Sequence, residues 1–158
     1  MVKLIPMEQT DFATYLKRSI VEYAEDKVRN GNWLAEEALE RSRKEFQELL
    51  PDGLESKDQF LFSIVEEAGR EKLGLLWVNV KTDTLHRPAF IYDFSIEEQF
   101  RRKGYGKQAL LALDEKLLSM GAESVGLHVF GDNTIAQELY KKAGYGITNI
   151  NMKKILTK

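Results

Sequence analysis

The sequence predicts an α/β protein with a mixed, mostly antiparallel central sheet flanked by helices. Three observations predict this class. Three consecutive segments in the middle of the chain, residues 59–66, 73–81 and 89–96, are rich in aliphatic and aromatic residues, which is typical of strands. Apolar residues at helical spacing precede them. After residue 97, helical and strand patterns alternate. Consecutive strands followed by alternating helices and strands imply helices on both faces of one sheet.

The N-terminal part is predicted to hold one short strand and two helices. Residues 2–5 form the strand, which Pro6 stops, and the helices cover residues 11–28 and 34–50. Thr10 is the expected cap of the first helix, and Asn30-Gly31-Asn32 separates the two. The apolar positions expected to face the core are Phe12, Leu16, Ile20, Tyr23 and Ala24 in the first helix, and Leu39, Phe46 and Leu50 in the second.

The C-terminal part is predicted to alternate helix and strand. A helix over residues 104–120 ends at Gly121, a strand covers 124–130, a helix covers 133–143, and a last strand covers 147–156. The apolar stripe of the first of these helices is Leu110, Leu113, Leu117 and Leu118. The turn around Gly69 suits an antiparallel hairpin. The expected order is βααβββαβαβ, in a single domain spanning residues 1–158.

Composition excludes several classes of function. The 158 residues include no cysteine, so disulfides, thiolate metal sites and cysteine nucleophiles are excluded. A formal net charge of −2 and a pI near 5.8 argue against nucleic acid as a partner. There is no run of about 18 apolar residues and no segment that resembles a signal peptide. A cytoplasmic protein that does not bind membranes is therefore expected.

The segment most informative about function is a basic, glycine-containing loop between a strand and an amphipathic helix. It consists of Arg101, Arg102, Lys103, Gly104, Tyr105, Gly106 and Lys107. Glycines let main-chain N–H groups approach an anion closely, and the free amides and positive dipole end of a helix favour a phosphate. Alternatively, the glycines only shape a loop whose basic side chains are solvated.

Two other phosphate-binding loops match less well. A Walker A loop requires glycine at position 101 and Ser or Thr at position 108, where the chain has Arg and Gln. The residues from Gly104 to Ala109 do match the GxGxxA pattern of a dinucleotide-binding fold. That pattern should follow its strand directly, however, and a charged loop intervenes here. No acidic residue ends the next strand. A nucleotide-binding oxidoreductase therefore remains only a minor alternative.

Two spaced motifs resemble those of the GNAT superfamily of acetyl-coenzyme A-dependent N-acetyltransferases. Arg101-x-x-Gly104-x-Gly106 is similar to the family's Gln/Arg-x-x-Gly-x-Gly/Ala loop. The segment that starts at Asn133 and ends at Tyr145 resembles its Asn-x-x-Ala-x-x-Leu-Tyr-x-x-x-Gly-Phe/Tyr helix. The expected element order is also that of the family. The motifs lie within residues 89–146, and the N-terminal half agrees in element order alone.

The resemblance implies a site for acetyl-coenzyme A between the fourth and fifth strands, which should splay apart. Main-chain groups of Phe94 and Ile96 would bind the pantetheine arm, and the amides of residues 101–107 would bind the pyrophosphate. Asn133 would contact the cofactor arm, and Tyr140 would lie near the sulfur. The acceptor would be a primary amine of a small molecule or peptide. No metal is expected.

The chemistry requires an acid and a base. An alkyl ammonium with a pKa near 10.4 must lose a proton before it attacks a thioester, and a thiolate must leave. Tyr140 is the candidate acid. Some family members carry a glutamate on the fourth strand, roughly where this chain has Phe90. The candidate base is therefore Asp93, acting directly or through water, with Tyr92 as an alternative. Asp93 could equally be a structural acceptor.

The sequence contains further charged and titratable residues that bear on the substrate and on turnover. Glu22 and Glu25 give the first helix an acidic character that could attract a cationic amine. His86 and His128 are isolated and are more often structural than catalytic. The absence of the strand-four glutamate leaves open a sensor or scaffold that binds acyl-coenzyme A without turnover. A homodimer is also left open.

Overall fold

A five-stranded sheet forms the centre of the molecule. The computed structural model describes residues 1–157. The strands are β1 (Val2–Pro6), β2 (Gln59–Glu66), β3 (Lys72–Val80), β4 (Ala89–Ile96) and β5 (Val125–Leu127). They lie in chain order; the first four are antiparallel, and β5 runs parallel to β4. The predicted fold class, a mixed and mostly antiparallel sheet flanked by helices, is confirmed.

Helices cover both faces of this sheet. They are α1 (Gln9–Arg29), α2 (Ala35–Leu49), α3 (Tyr105–Ser119) and α4 (Thr134–Lys142), with short 3₁₀ helices at Gly53–Glu55 and Glu98–Phe100. On one face, Phe12 and Tyr15 of α1 are buried against Leu75 and Trp77 of β3. On the other face, Leu110 and Leu113 of α3 are fully buried against the sheet. These two apolar layers fix the sheet between the helices.

A β-bulge interrupts β4. Trp77 opposes Asp93, but the next residue of β3, Val78, opposes Ile91, so Tyr92 is an extra residue in β4. A bulge of one residue reverses the side-chain alternation beyond it. Ile91 packs in the apolar layer on the α3 face. Asp93, two residues on, instead reaches Tyr15 of α1 on the opposite face.

The last predicted strand is absent from the described residues. Residues 147–157 form neither helix nor strand and are all exposed. A strand forms only where a neighbour accepts its main-chain hydrogen bonds, and β5 pairs with β4 alone. The predicted strand over residues 124–130 is correspondingly reduced to Val125–Leu127.

Three local predictions were also wrong. Thr10 lies inside α1, because the helix begins two residues earlier than expected and Glu8 occupies the N-cap position. Leu39 and Leu118 are 45% and 72% exposed rather than buried. Ala38, Ser42 and Leu50 take the buried positions in and just after α2. Within residues 1–157, no helix is long and apolar enough to cross a membrane.

Candidate functional site

A gap opens where β4 and β5 diverge. The parallel ladder joins only Ala89 to Val125, Phe90 to Gly126 and Ile91 to Leu127, and it ends there. Beyond it lies a cavity of about 160 Å³. Its walls include Asp93 and Phe94 from β4, His128 to Phe130 beyond β5, and Asn133, Ala136 and Tyr140 from the α4 region. The expected splaying of the two strands is therefore present.

Main-chain groups of β4 face this gap. The N–H of Glu97 donates a 2.7 Å hydrogen bond to the carbonyl of Leu73, so that pair is a hydrogen-bonded pair of the antiparallel ladder. Such pairs alternate with pairs whose N–H and C=O groups point away from the partner strand. Ile96 and Phe94, opposite Gly74 and Leu76, are of the second kind. Their main-chain groups consequently point away from β3, towards the side where β5 is no longer paired.

The glycine loop leads directly into α3. Gly104 is the N-cap, with a left-handed φ of 83° that favours glycine. The first hydrogen bond of the helix runs from the N–H of Gln108 to the carbonyl of Gly104. Across the described chain, no protein hydrogen bond is donated by the main-chain N–H groups of residues 102–107. These free amides, at the positive end of a helix of 15 residues, can bind an anion.

The charged side chains of the loop are of two kinds. Arg102, Lys103 and Lys107 are exposed and form no ion pair within residues 1–157. Arg101 instead turns back, and its Nε donates a 2.8 Å hydrogen bond to the carbonyl of Ile96. Arg101 therefore ties the loop to the end of β4, while the other three leave the loop with uncompensated positive charge.

Gly106 brings the loop close to the gap. A Cβ at this position would lie 3.1 Å from Cδ2 of Leu139 and 3.8 Å from Cζ of Phe94. Both distances are set by packing between the first turn of α3, α4 and β4. The glycine allows the anion-binding turn to lie directly beside the wall of the gap.

Asp93 stands at the edge of the gap in a largely apolar setting. The hydroxyl of Tyr15 donates a 2.7 Å hydrogen bond to its Oδ2. Burial raises the pKa of the Asp93 carboxyl, while the hydrogen bonds from Tyr15 and from the N–H of Phe94 act in the opposite direction and lower it. A carboxylate with a raised pKa is a stronger base than an exposed one, so Asp93 is suited to accept a proton.

Sequence reasoning missed Tyr15. It lies in α1 between Phe12 and Leu16, within the apolar stripe, and it is buried like a core residue. Burial and the neighbouring Asp93 charge raise its pKa, which keeps its hydroxyl protonated as a donor. No pattern in the sequence links it to a residue 78 positions away.

Tyr140 comes from α4 and faces the same gap as Asp93. The side-chain oxygen of Asn133 caps this helix by accepting a 3.2 Å hydrogen bond from the N–H of Ala136. The Tyr140 ring lies 6.3 Å from Phe94 and 5.7 Å from Tyr145, between centroids. Burial first, and then the nearby Asp93 charge, raise the pKa of Tyr140. The hydroxyl therefore carries its proton at neutral pH.

The other candidates are divided between the gap and the surface. Tyr92 lies in the cavity wall with its ring 4.9 Å from Trp77, and Phe90 is 38% exposed beside it. His128 also lines the cavity, although it lies beyond the end of β5 rather than inside the predicted strand. His86 forms an ion-pair contact with Glu123 on the surface.

Glu22 and Glu25 do not reach the gap. Glu22 is paired with Arg18 at 3.8 Å, and Glu25 borders a separate groove between α1 and α2. In residues 1–157, no three His, Cys, Asp or Glu side chains are grouped as metal ligands. The chemistry available in the gap is therefore that of one carboxyl, the phenols of Tyr92 and Tyr140, the imidazole of His128 and a set of free main-chain amides.

Comparison with known proteins finds one matching family and two closely similar bacterial relatives. Residues 14–145 match the model of the Acetyltransferase (GNAT) family. The chain is 41% identical over 155 residues to the uncharacterized N-acetyltransferase YycN of Bacillus subtilis (strain 168), covering 98% of this chain and 99% of YycN. YdgE of the same organism, also an uncharacterized N-acetyltransferase, is 38% identical over 152 residues, or 95% of each chain. The crystal structure of YycN gives a TM-score of 0.90 at 40% identity over 100% of both chains.

Proposed function

The chain belongs to the GNAT acetyltransferase family and is an N-acetyltransferase, and from the geometry of its gap we propose that it transfers an acetyl group from acetyl-coenzyme A to a primary amine by direct attack on the thioester. The acceptor would be a small molecule or a peptide. The oxidoreductase and binding-only alternatives receive no support from the relatives, which are named N-acetyltransferases.

One observation carries the proposal: two sets of unpaired main-chain groups lie on either side of the Gly106 contact. One set lies at the open edge of β4 and consists of the carbonyl of Phe94 and the N–H of Ile96, because the Ile96 carbonyl already accepts from Arg101; residues 102–107 offer the other set. The first set suits the amide groups of a pantetheine arm. The second, flanked by exposed Lys103 and Lys107, suits a pyrophosphate. Asn133 would contact the arm through the side-chain NH₂ that its capping bond leaves free.

Asp93 would act as the general base. An ammonium substrate must lose a proton before its nitrogen can form a bond to the thioester carbon. The Asp93 carboxylate would accept that proton directly or through a water molecule. Tyr15 would hold the carboxyl group in place while its remaining oxygen faces the substrate.

Tyr140 would act as the general acid. As nitrogen attacks, negative charge develops on the thioester oxygen, and a main-chain N–H near the end of β4 can stabilise it. When the C–S bond breaks, the electron pair leaves on sulfur. The Tyr140 hydroxyl would donate a proton to that thiolate. The attacking nitrogen loses a second proton as the amide forms; of the two protons that leave nitrogen, one restores Tyr140 and the other passes from Asp93 to solvent.

A thiol-release assay tests this proposal with an unusually low background. Because the chain has no cysteine, any thiol that appears in a mixture of protein, acetyl-coenzyme A and amine comes from coenzyme A. We expect release that depends on the amine, from a panel of small amines and peptides with free N-termini or lysines. A reaction without amine corrects for hydrolysis, and Asp93→Asn is the matched inactive control. Equal release with and without every amine would contradict the proposal.

We further propose that the protein acts as a homodimer, with one gap in each copy. The support for this comes from the C-terminal segment, residues 147–157, whose large apolar side chains are left exposed by the rest of the described chain.

A further inference from the structure

Two partly exposed aromatic rings, those of Phe90 and Tyr92, lie beside Asp93 in β4. They are 38% and 42% exposed, and they meet edge to face, with centroids 5.2 Å apart and planes at 69°. The Tyr92 ring also lies 4.9 Å from Trp77, which packs in the apolar layer beneath α1. Two rings that contact each other and remain partly open to solvent form a surface on which a further ring can pack.

The β-bulge places these rings on the same face of the sheet as the Asp93 carboxyl. Ile91 packs in the layer beneath α3, so its neighbour Phe90 lies on the face covered by α1. In a regular strand, Asp93 would share the face of Ile91, away from the rings. The extra residue in β4 reverses that alternation, and Asp93 contacts Tyr15 of α1 instead. The carboxyl and the two rings therefore lie on one face.

The strand opposite leaves room beside Phe90. Its partner in β5 is Gly126, where a Cβ would lie 3.9 Å from Cδ1 of Phe90, so a larger side chain would lie against that ring. Beyond β5, His128 and Phe130 form a second edge-to-face pair, with centroids 5.0 Å apart and planes at 87°, and both line the cavity. Aromatic side chains therefore line both walls of the gap near Asp93.

The charges around this surface suit a substrate with a single ammonium group. Among the described residues that line the cavity, Asp93 is the only acid, and none is lysine or arginine. Burial is the main influence on the pKa of Asp93, and two charges on α1 also act on it: Arg18 lowers the pKa and Asp26 raises it. Both are already paired, Arg18 with Glu22 and Asp26 with Arg29. A second cationic group on the substrate would find no further carboxylate in the cavity wall.

We infer that the acceptor is a primary amine that carries an aromatic ring close to its nitrogen. This inference rests on the proposed acetyl transfer and narrows its substrate class. The ammonium group would lie against Asp93, and the ring would pack on Tyr92, the preceding residue, and on Phe90. Aromatic pairs favour edge-to-face and offset contacts, the arrangement that these two rings already show with each other. A small amine and the first residue of a peptide can both present this chemistry.

Binding measured by calorimetry tests the inference without depending on turnover. The protein, saturated with coenzyme A, is titrated with 2-phenylethylamine and with its saturated analogue 2-cyclohexylethylamine, which keeps the charge and the approximate size but lacks the π face. The ratio of the two dissociation constants measures the preference for an aromatic ring. We expect this preference to fall about 2- to 10-fold in Phe90→Leu, the contribution of one aromatic pair. Phe90→Tyr, which keeps a ring, should retain it.

Two further ligands identify the source of the ring and the competing chemistry. The tripeptide phenylalanyl-glycyl-glycine has its ring at the same spacing from the amine as 2-phenylethylamine. Binding of either one supports the inference, and the tighter of the two identifies a peptide or a small amine as the source. Spermidine has several amino groups and no ring, so it should bind more weakly than both. Tighter binding of spermidine would overturn the inference in favour of a polycationic acceptor.

The remaining outcomes separate this inference from the proposed function. Phe90 is partly exposed, so Phe90→Leu should remain folded, as judged by circular dichroism. An unchanged preference in that variant would overturn the inference. Failure of every aromatic amine to bind, with thiol release from other amines, would also overturn it and would leave acetyl transfer intact. Ring binding that depends on Phe90, with no thiol release from any amine, would support the aromatic surface and contradict the proposed function.

Discussion

The hydroxyl of Tyr15 donates a 2.7 Å hydrogen bond to Oδ2 of Asp93 and so joins α1 to the bulge of β4. Two opposing effects meet at this carboxyl group. Burial favours its neutral form, and the hydrogen bonds from Tyr15 and from the N–H of Phe94 favour its ionised form. The net result is a pKa above the ordinary carboxyl value, which suits a general base that must hold a proton during turnover.

Replacing Tyr15 with Phe should raise the pKa of Asp93 further, because it removes a hydrogen bond that stabilises the carboxylate. A hydrogen bond to a charged group contributes about 1.5–3 kcal/mol, and 1.36 kcal/mol corresponds to one pKa unit. We expect the acidic limb of the kcat/KM profile to move to higher pH by about one to two units. Tyr23→Phe, on the same helix but away from Asp93, should leave the limb unchanged. A limb that stays in place in Tyr15→Phe would refute the role assigned to this bond.

Asp93→Asn should change how stability depends on pH as well as activity. The folded-state pKa of Asp93 lies above its unfolded value, so the native state binds more protons between the two. The wild type therefore loses stability as pH rises from the ordinary carboxyl pKa through the raised one, and Asp93→Asn does not. Urea unfolding at several pH values should show the variant gaining relative stability with rising pH, by about 1.36 kcal/mol for each unit of pKa shift. Asp132→Asn, the same replacement at an exposed site, is the matched control.

The Asp93→Asn substitution should also lower the rate of acetyl transfer. An amide cannot accept the substrate proton, and general acid–base catalysis contributes roughly 10²–10⁴-fold to rate. We expect kcat for Asp93→Asn to fall within that range while the dissociation constant for coenzyme A changes little. A variant with near-normal kcat would assign the base to another group, with Tyr92 as the next candidate.

Tyr140→Phe should slow the step in which sulfur leaves. The ring and its packing against Phe94 and Tyr145 are kept, and only the proton donor is removed. We expect kcat to fall by about 10²-fold, the lower end of the usual contribution of an acid catalyst, with little change in KM for acetyl-coenzyme A. Tyr145→Phe is the matched control. Its hydroxyl is buried without a partner, with a pKa raised to about 12, so its removal should leave kcat intact. Equal losses in both variants would indicate a packing effect.

The strands whose bounds were predicted correctly are those that their own residue types identify. The bounds of β2 and β4 agree with prediction, because uninterrupted aliphatic and aromatic runs between polar turns define them. Residue types could not predict on which face of the sheet the Asp93 side chain lies. Strict alternation places Asp93 on the face of Ile91, and only the extra residue Tyr92 turns it towards α1. The bulge is visible in the pairing with β3 and not in the sequence of β4.

Tyr15 and the last strand were beyond sequence reasoning for a different reason. Each depends on which distant residues the fold brings beside it. Tyr15 has the spacing of a core residue, and only the fold brings it to Asp93. Residues 147–156 have the composition of a strand, yet a strand requires a neighbour, and none of the strands in residues 1–157 pairs with them. Local pattern predicts what a segment can form, and the rest of the fold decides whether it does.

Charge reversal in the loop should weaken donor binding without affecting chemistry. Lys103→Glu together with Lys107→Glu places two negative charges beside the free amides of residues 102–107. Exposed charges contribute up to about 1 kcal/mol each, so KM for acetyl-coenzyme A should rise about tenfold while kcat stays similar. The difference should shrink at high salt, because exposed charges are screened. Lys17→Glu, on the exposed side of α1, is the control. An unchanged KM would place the pyrophosphate elsewhere.

Gly74→Ala, a substitution in β3, should displace the neighbouring strand β4 and so disturb the donor site. A Cβ at Gly74 would lie only 2.1 Å from the main-chain oxygen of Ser95, so the backbone of β4 would have to move. Overpacking of this kind costs about 1–3 kcal/mol, and we expect the upper end of that range because no flexible side chain can yield. The displaced residues include Phe94 and Ile96, whose main-chain groups face the gap, so KM for acetyl-coenzyme A should also rise. Gly131→Ala, where a Cβ would meet nothing within 4 Å, should change neither quantity. Urea unfolding measures the loss of stability in both variants, and steady-state kinetics measure the change in KM. A Gly74→Ala protein with wild-type stability would show that β3 and β4 are not held as closely as their register indicates.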